Sequence, residues 1–256
     1  MSVIKVLYLF FLTTFLNIFV YADGFKDLKE AIDIAGKQRM LTQRFVKDYV
    51  MVGMELSYKN PKEDLKKSID SFDMALKKID EFSKDKKIKE LSESVKDEWK
   101  MVKTILENEP SKGNIAKLNK KCDHLLKLSN DIVLLLTKQE KSGINSIINI
   151  SGRQRMLSQK LAALYMVKAW GANDSRFKEQ LEESMKLFKE SLNRLKGYKE
   201  NSKEINLLLS KVERAFRFFE VMSRSNSRFT PSLICKKSDE ILNDMDKITK
   251  LYRKLK

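Results

Sequence analysis

"INISGRQRMLSQK", Ile148 to Lys160, has a near copy at Ile32 to Arg44, "IDIAGKQRMLTQR". Eight of the thirteen positions are identical, and the other five are Asp/Asn, Ala/Ser, Lys/Arg, Thr/Ser and Arg/Lys exchanges. The segments are offset by 116 residues, and the same offset pairs Tyr49 with Tyr165, Ser68 with Ser184, Phe72 with Phe188, Leu76 with Leu192 and Asp123 with Asp239. A one-residue shift pairs Val95 with Val212 and Trp99 with Phe216. One short motif can recur by chance. A colinear series over most of the chain marks a duplicated module.

Each copy is expected to form four helices. In the first, helix 1 runs from about Phe25 to Ser57 and is broken by "SYKNPKED", where Pro61 suits a helix start. Helix 2 ends near Phe82, helix 3 covers "KIKELSESVKDEWKMVKTILEN", and helix 4 begins near Asn114. In the second copy, "GANDS", "GYKENSKE" and "SRSNSRFTPS" separate the helices. Four antiparallel helices with short connections make an up-down bundle. The expected fold is therefore all-α, with two tandem four-helix bundles at residues 23–140 and 141–256. The junction "TKQEKSGINSIIN" has one glycine and no proline, so it permits either a bend or a continuous helix.

Composition agrees. Only 8 Gly and 3 Pro punctuate 256 residues, which argues against many short strands. Charged residues make up 34%, as in amphipathic helices with solvated outer faces. The formal net charge of +16 attracts anions, although a lysine-rich genome would give the same charge with no function attached. Acidic residues interleave the basic ones and no basic block carries stacking aromatics, so nucleic acid is not an expected partner. The first 22 residues carry Lys5, an apolar run of about 17 residues and Val20-Tyr21-Ala22. They are expected to be a signal peptide cleaved after Ala22, which places the mature chain in the periplasm; an uncleaved anchor is the minority alternative. Cys122 and Cys235 either form a disulfide or remain as buried thiols.

The repeated segment carries the functional signal. With Gly36 at zero and about 100 degrees per residue, Ile34, Gln38, Leu41, Phe45 and Val52 share one side of helix 1. Ile32, Gly36, Arg39, Gln43, Val46 and Val50 share the other. In the copy, Ile150, Leu157 and Leu161 oppose Ile148, Gly152, Arg155, Gln159, Ala162 and Met166. A bundle helix needs one apolar stripe. This helix has two, so the second requires another partner. Its glycine allows close approach, its arginine offers a fixed fork of donors, and its glutamine can donate or accept. No acidic residue is expected on that stripe, so a planar oxyanion is the matching partner for the arginine. The plainer alternative is that the arginines snorkel or pair with carboxylates from other helices. Duplication of the polar residues favours a ligand, because packing needs only apolar character.

These segments resemble the signature of the PilJ-type domain, the N-terminal domain of type IV pili methyl-accepting chemotaxis transducers. They are also similar to the P-box of the NarX and NarQ nitrate sensor kinases. The resemblance implies a periplasmic four-helix bundle that holds nitrate between two signature helices. It implies ligand contacts from Arg39 and Gly36 in the first copy and from Arg155 and Gly152 in the second. Gln43 and Gln159, on the same stripe, complete the candidate ligand-binding set. No second membrane span or signalling region is expected in the sequence up to Lys256. It is therefore expected to report to a partner, a membrane receptor or a sensor kinase. Two arrangements are open. Either Arg39 faces Arg155 within one chain, or helix 4 runs straight into the next helix and each site needs a second chain in a homodimer.

Other chemistry is not expected. "AGKQR" lacks the spaced glycines of a phosphate loop. His124 is the only histidine and neither cysteine has a nearby ligand partner, so no metal or other cofactor is expected. No nucleophile–base–acid set is visible, which makes the chain a binding protein rather than an enzyme. A structural module that pairs with a receptor bundle and takes no ligand is the competing class.

Overall fold

The structure is a computed structural model that describes residues 27–140, 142–172, 176–224 and 230–255. The leader expected over residues 1–22 lies outside them. Eight helices follow in order: α1 Leu28–Gly53, α2 Pro61–Phe82, α3 Lys86–Leu106, α4 Lys112–Lys138, α5 Gly143–Ala169, α6 Phe177–Lys196, α7 Lys203–Arg224 and α8 Pro231–Lys254. The fold is all-α, as the sequence predicts.

The helix ends follow from local chemistry. The Asp27 side chain accepts from the Glu30 amide and starts α1. The Asn60 side chain caps α2, whose first residue is Pro61; proline lacks the N–H that would be orphaned there. The Asp85 side chain accepts from the amides of Lys87 and Ile88 and starts α3. Between α1 and α2 the chain turns through Glu55 and Lys59, both with positive φ. The junction between the copies is a bend. Helix α4 stops at Lys138 and α5 begins at Gly143, so the continuous-helix arrangement does not occur.

Helices α1–α4 form one bundle and α5–α8 the other, each a ring of neighbours packed antiparallel. Equivalent aromatics mark equivalent cores. Phe72 lies 4.4 Å from Trp99, centroid to centroid, and Phe188 lies 4.2 Å from Phe216. Phe45 stacks on Trp99 at 5.0 Å. Both cysteines are free and buried, so no disulfide links the copies.

The broadest helix–helix contact in the molecule is not inside either bundle. It joins α1 to α5 and sets the two bundles side by side. The two helices run parallel. Gly36 opposes Gly152 in the first half of the pair, and Trp170, at the end of α5, covers Gly53 at the end of α1. Helix α8 runs against both. Its Asp246 meets Arg155 of α5, while its Arg253 meets Glu30 and Asp33 near the start of α1. The second stripe of α1 therefore finds its partner in the second stripe of α5.

The close approach depends on glycine. A methyl group at Gly36 would sit 3.8 Å from the Gly152 Cα and 3.2 Å from Arg155 Nη2. One at Gly152 would sit 3.7 Å from the Gly36 Cα and 3.3 Å from Nη2 of both Arg39 and Arg155. A branched side chain has no room. Gly36→Val is expected to cost about 2 kcal/mol through overpacking, read from urea denaturation. Gly113→Ala, where nothing lies within 4 Å, is expected to stabilise by about 0.5 kcal/mol in the same assay.

Candidate ligand site at the bundle seam

The seam brings four of the six candidate residues together: Gly36, Arg39, Gly152 and Arg155. Both arginine side chains are 1% exposed, the two largest fully buried side chains among the described residues. Side chains on a helix lean towards its N-terminus. Each arginine therefore folds back over the glycine pair and reaches the opposite helix. Arg39 Nη2 donates to the Asn149 carbonyl at 3.1 Å, and Arg155 Nη2 donates to the Asp33 carbonyl at 3.3 Å. Asp33 and Asn149 are repeat equivalents, so the two contacts are related by a pseudo-two-fold axis along the seam.

The side-chain partners break that symmetry. Arg39 Nη1 donates to Asn149 Oδ1 at 3.1 Å and to Asn130 Oδ1, on α4, at 2.9 Å. Arg155 lies 2.8 Å from Asp33 Oδ1 and donates to Asp246 Oδ1, on α8, also at 2.8 Å. Asn130 and Asp246 are again repeat equivalents. One arginine thus has two amides and the other has two carboxylates.

Electrostatics follow the partners. Burial, with the nearby charges of Arg153 and Arg155, pulls the Arg39 guanidinium down to about 9. Burial acts on Arg155 in the same direction, but Asp33 and Asp246 outweigh it and hold that guanidinium above its usual value. Burial raises the Asp33 carboxyl, and Arg155, Lys37 and Arg253 outweigh that and hold it below its ordinary range. The Nε of each arginine is buried with no acceptor among the described residues.

The glutamines lie a turn further along and face their own bundles. Gln43 Nε2 is 3.4 Å from Asp123 Oδ1 on α4, and Gln159 Nε2 is 3.5 Å from the Ser238 carbonyl on α8. The expectation that the stripe meets no acidic residue is corrected. Asp33 is itself on α1, about 60 degrees from Gly36 around the helix, and it pairs with Arg155 across the seam. The carboxylate alternative thus holds for Arg155 and fails for Arg39. Asn130 and Asp246 come from α4 and α8, each 91 positions from its arginine, and helix spacing could not find them. Asp33 and Asn149 were in plain view as one of the five differences between the repeated segments.

A second polar cluster lies towards the other end of the seam. Lys47, 2% exposed on α1, donates to Asp239 of α8 at 3.0 Å, and Lys59 and Tyr58 contact the same carboxylate. A groove of about 420 Å³ between α1 and α2, lined by Ile34, Lys37, Met40, Leu41 and Arg44 among others, is separate; neither arginine nor either glycine of the seam lines it. His124 is exposed and pairs with Glu98 at 3.2 Å. Among the described residues no group of histidine, cysteine and carboxylate side chains could hold a metal. Among them, too, no helix is long and apolar enough to cross a membrane.

Two helical bundles in one chain, joined by paired signature helices with buried arginines, define a duplicated helical-bundle module. The model of the PilJ family, described as type IV pili methyl-accepting chemotaxis transducer N-term, matches residues 26–119 and 135–217. The chain belongs to that family and carries it in two tandem copies. No curated protein and no solved structure matches. The matched segments span α1 to α7 in part or whole and leave out α8, which supplies Asp239 and Asp246.

The buried pairs set the response to acid. Burial raises the Asp239 carboxyl, but Lys47 and Lys59 outweigh that and hold it below the ordinary aspartate range. A depressed carboxylate stabilises the fold above its unfolded pKa and loses that contribution as pH falls through the folded value. Asp239→Asn leaves Lys47 buried without this partner and is expected to cost about 3 kcal/mol at pH 7. The gap from the unaltered chain, measured by urea denaturation, should persist down to about pH 4 and close below it.

Proposed function

We propose that the chain is an exported, periplasmic sensory module that binds a small oxyanion, nitrate or nitrite foremost, at the α1–α5 seam and reports it to a partner receptor or sensor kinase. The observation that carries this reading is Arg39. It is a fully buried cation whose side-chain partners are two neutral amides, and its Nε lacks an acceptor. A buried charge without a counter-ion is costly, and an anion removes the cost. A planar oxyanion matches the guanidinium fork. The +16 chain draws such anions towards it.

The arrangement also supplies a route to a signal. Both guanidinium groups lie directly over the glycines, so an anion reaches Arg39 by replacing an amide partner. Asn130 is on α4 and Asn149 on α5, so occupancy changes how those helices are held. The second reading, a helical interaction module that takes no ligand, is favoured by the carboxylates already on Arg155. Calorimetry with nitrate, nitrite, chloride and sulfate separates the two. The sensor reading expects stabilisation by nitrate or nitrite that Arg39→Gln weakens at least tenfold, about 1.4 kcal/mol. No anion effect at millimolar concentration, with capture of a PilJ-type receptor ectodomain, would leave the interaction module standing.

A further inference from the structure

The two halves of the seam differ in charge at four pairs of equivalent positions: Asp33 and Asn149, Asn130 and Asp246, Glu30 and Ser146, and Thr137 and Arg253. On the Arg155 side, Arg155, Lys37 and Arg253 meet Asp33, Asp246 and Glu30. Three cations face three carboxylates. On the Arg39 side the repeat equivalents are Arg39 and Arg153 with Asn149 and Asn130. Ser146 stands for Glu30 and Thr137 for Arg253. Two cations face two amides, and neither arginine has a carboxylate within ion-pair distance among the described residues. Asn145 lies one turn before Asn149 on the same stripe of α5, fully buried, with both polar atoms of its amide unpartnered. The Arg39 side thus holds an unpartnered buried amide, on Asn145, beside the arginine that lacks a carboxylate.

From this we infer that the seam holds one open half-site and one closed one. The open half is Arg39 with Asn130 and Asn149, and it takes a single small monoanion per chain. In the closed half, Asp33 and Asp246 occupy the place of a ligand on Arg155. This rests on the oxyanion reading and sharpens it: the site is not shared equally by two arginines. Arg155 positions the helices, and its carboxylates set the stoichiometry. The amides serve the open half in two ways. Their oxygens satisfy the guanidinium when it is empty, and their NH2 groups can turn to donate to the anion when it is full.

The repeat itself supplies the test, because each half shows what the other would become. Asn130→Asp gives Arg39 the carboxylate that Arg155 has. Asp246→Asn gives Arg155 the amide that Arg39 has. Both are nearly isosteric. Isothermal titration with sodium nitrate, at constant ionic strength and with the full mature chain, reads affinity and stoichiometry. The unaltered chain is expected to bind one nitrate, and Asn130→Asp to bind it at least tenfold more weakly. Asp246→Asn is expected either to bind at least threefold more tightly or to bind a second nitrate, and misfolding cannot produce such a gain. Absence of any anion binding to the unaltered chain overturns this inference and the oxyanion reading together. Binding of two nitrates by the unaltered chain, unchanged binding in Asn130→Asp, or no gain in Asp246→Asn overturns this inference alone.

Discussion

Two backbones come together where Gly36 opposes Gly152, and the rest of the molecule is arranged around that contact. With no side chain on either helix, α1 and α5 approach closely enough for an arginine on each to reach the other's main chain. A branched residue at either position would crowd the guanidinium groups that lie over the glycines and the facing backbone. The contact also decides how the two bundles combine. Each bundle buries its aromatic core by itself, but the second stripe of its first helix has no place inside it. Packing stripe against stripe buries both and turns two modules into one structure.

Buried charge fixes the alignment of that packing. Apolar surfaces alone tolerate a slide of one helix against another by a turn. Here Asp33 of α1 meets Arg155 of α5, and further along Lys47 of α1 meets Asp239 of α8. A shift of one turn would break both pairs and weaken the pairing of buried charges, which is costly in a water-poor interior. Ion pairs add less net stability than their geometry suggests. Two of them spaced along one interface still define a single register. The register of the signature helices is therefore marked by buried charge, with α8 supplying a partner to both.

Much of this was legible in the sequence. The offset of 116 residues announced the duplication, and the helix breaks at Asn60-Pro61 and after Trp170 fell close to their observed places. The two-sided pattern of helix 1 showed that it needed a second partner. What spacing could not show was which side chains the arginines meet. A helical wheel ranks residues by direction from the axis. An arginine side chain spans more than a turn, so Asp33 comes within reach although it points well away from Gly36. Asn130 and Asp246 belong to the last helices of their bundles, and only the folded ring brings them to the first. The junction was undecided for a local reason: "KSGIN" contains a residue that permits a break without requiring one.

Fusing the two halves in one chain has a consequence that a symmetric pair of chains could not have. In a homodimer, every residue at a two-fold seam appears on both sides, so acid on one arginine means acid on the other. Here each half has its own codons. Asp33 differs from Asn149, and Asn130 differs from Asp246, and the two differences act in the same sense. Each arginine takes one partner from the opposite signature helix and one from the last helix of its own bundle. Crossed in this way, a single exchange would give each arginine a mixed pair of partners or leave one unchanged. The two exchanges together give Arg155 both carboxylates and Arg39 both amides. One guanidinium is thereby paired with acid across and within the bundles, and the other is held by neutral amides alone.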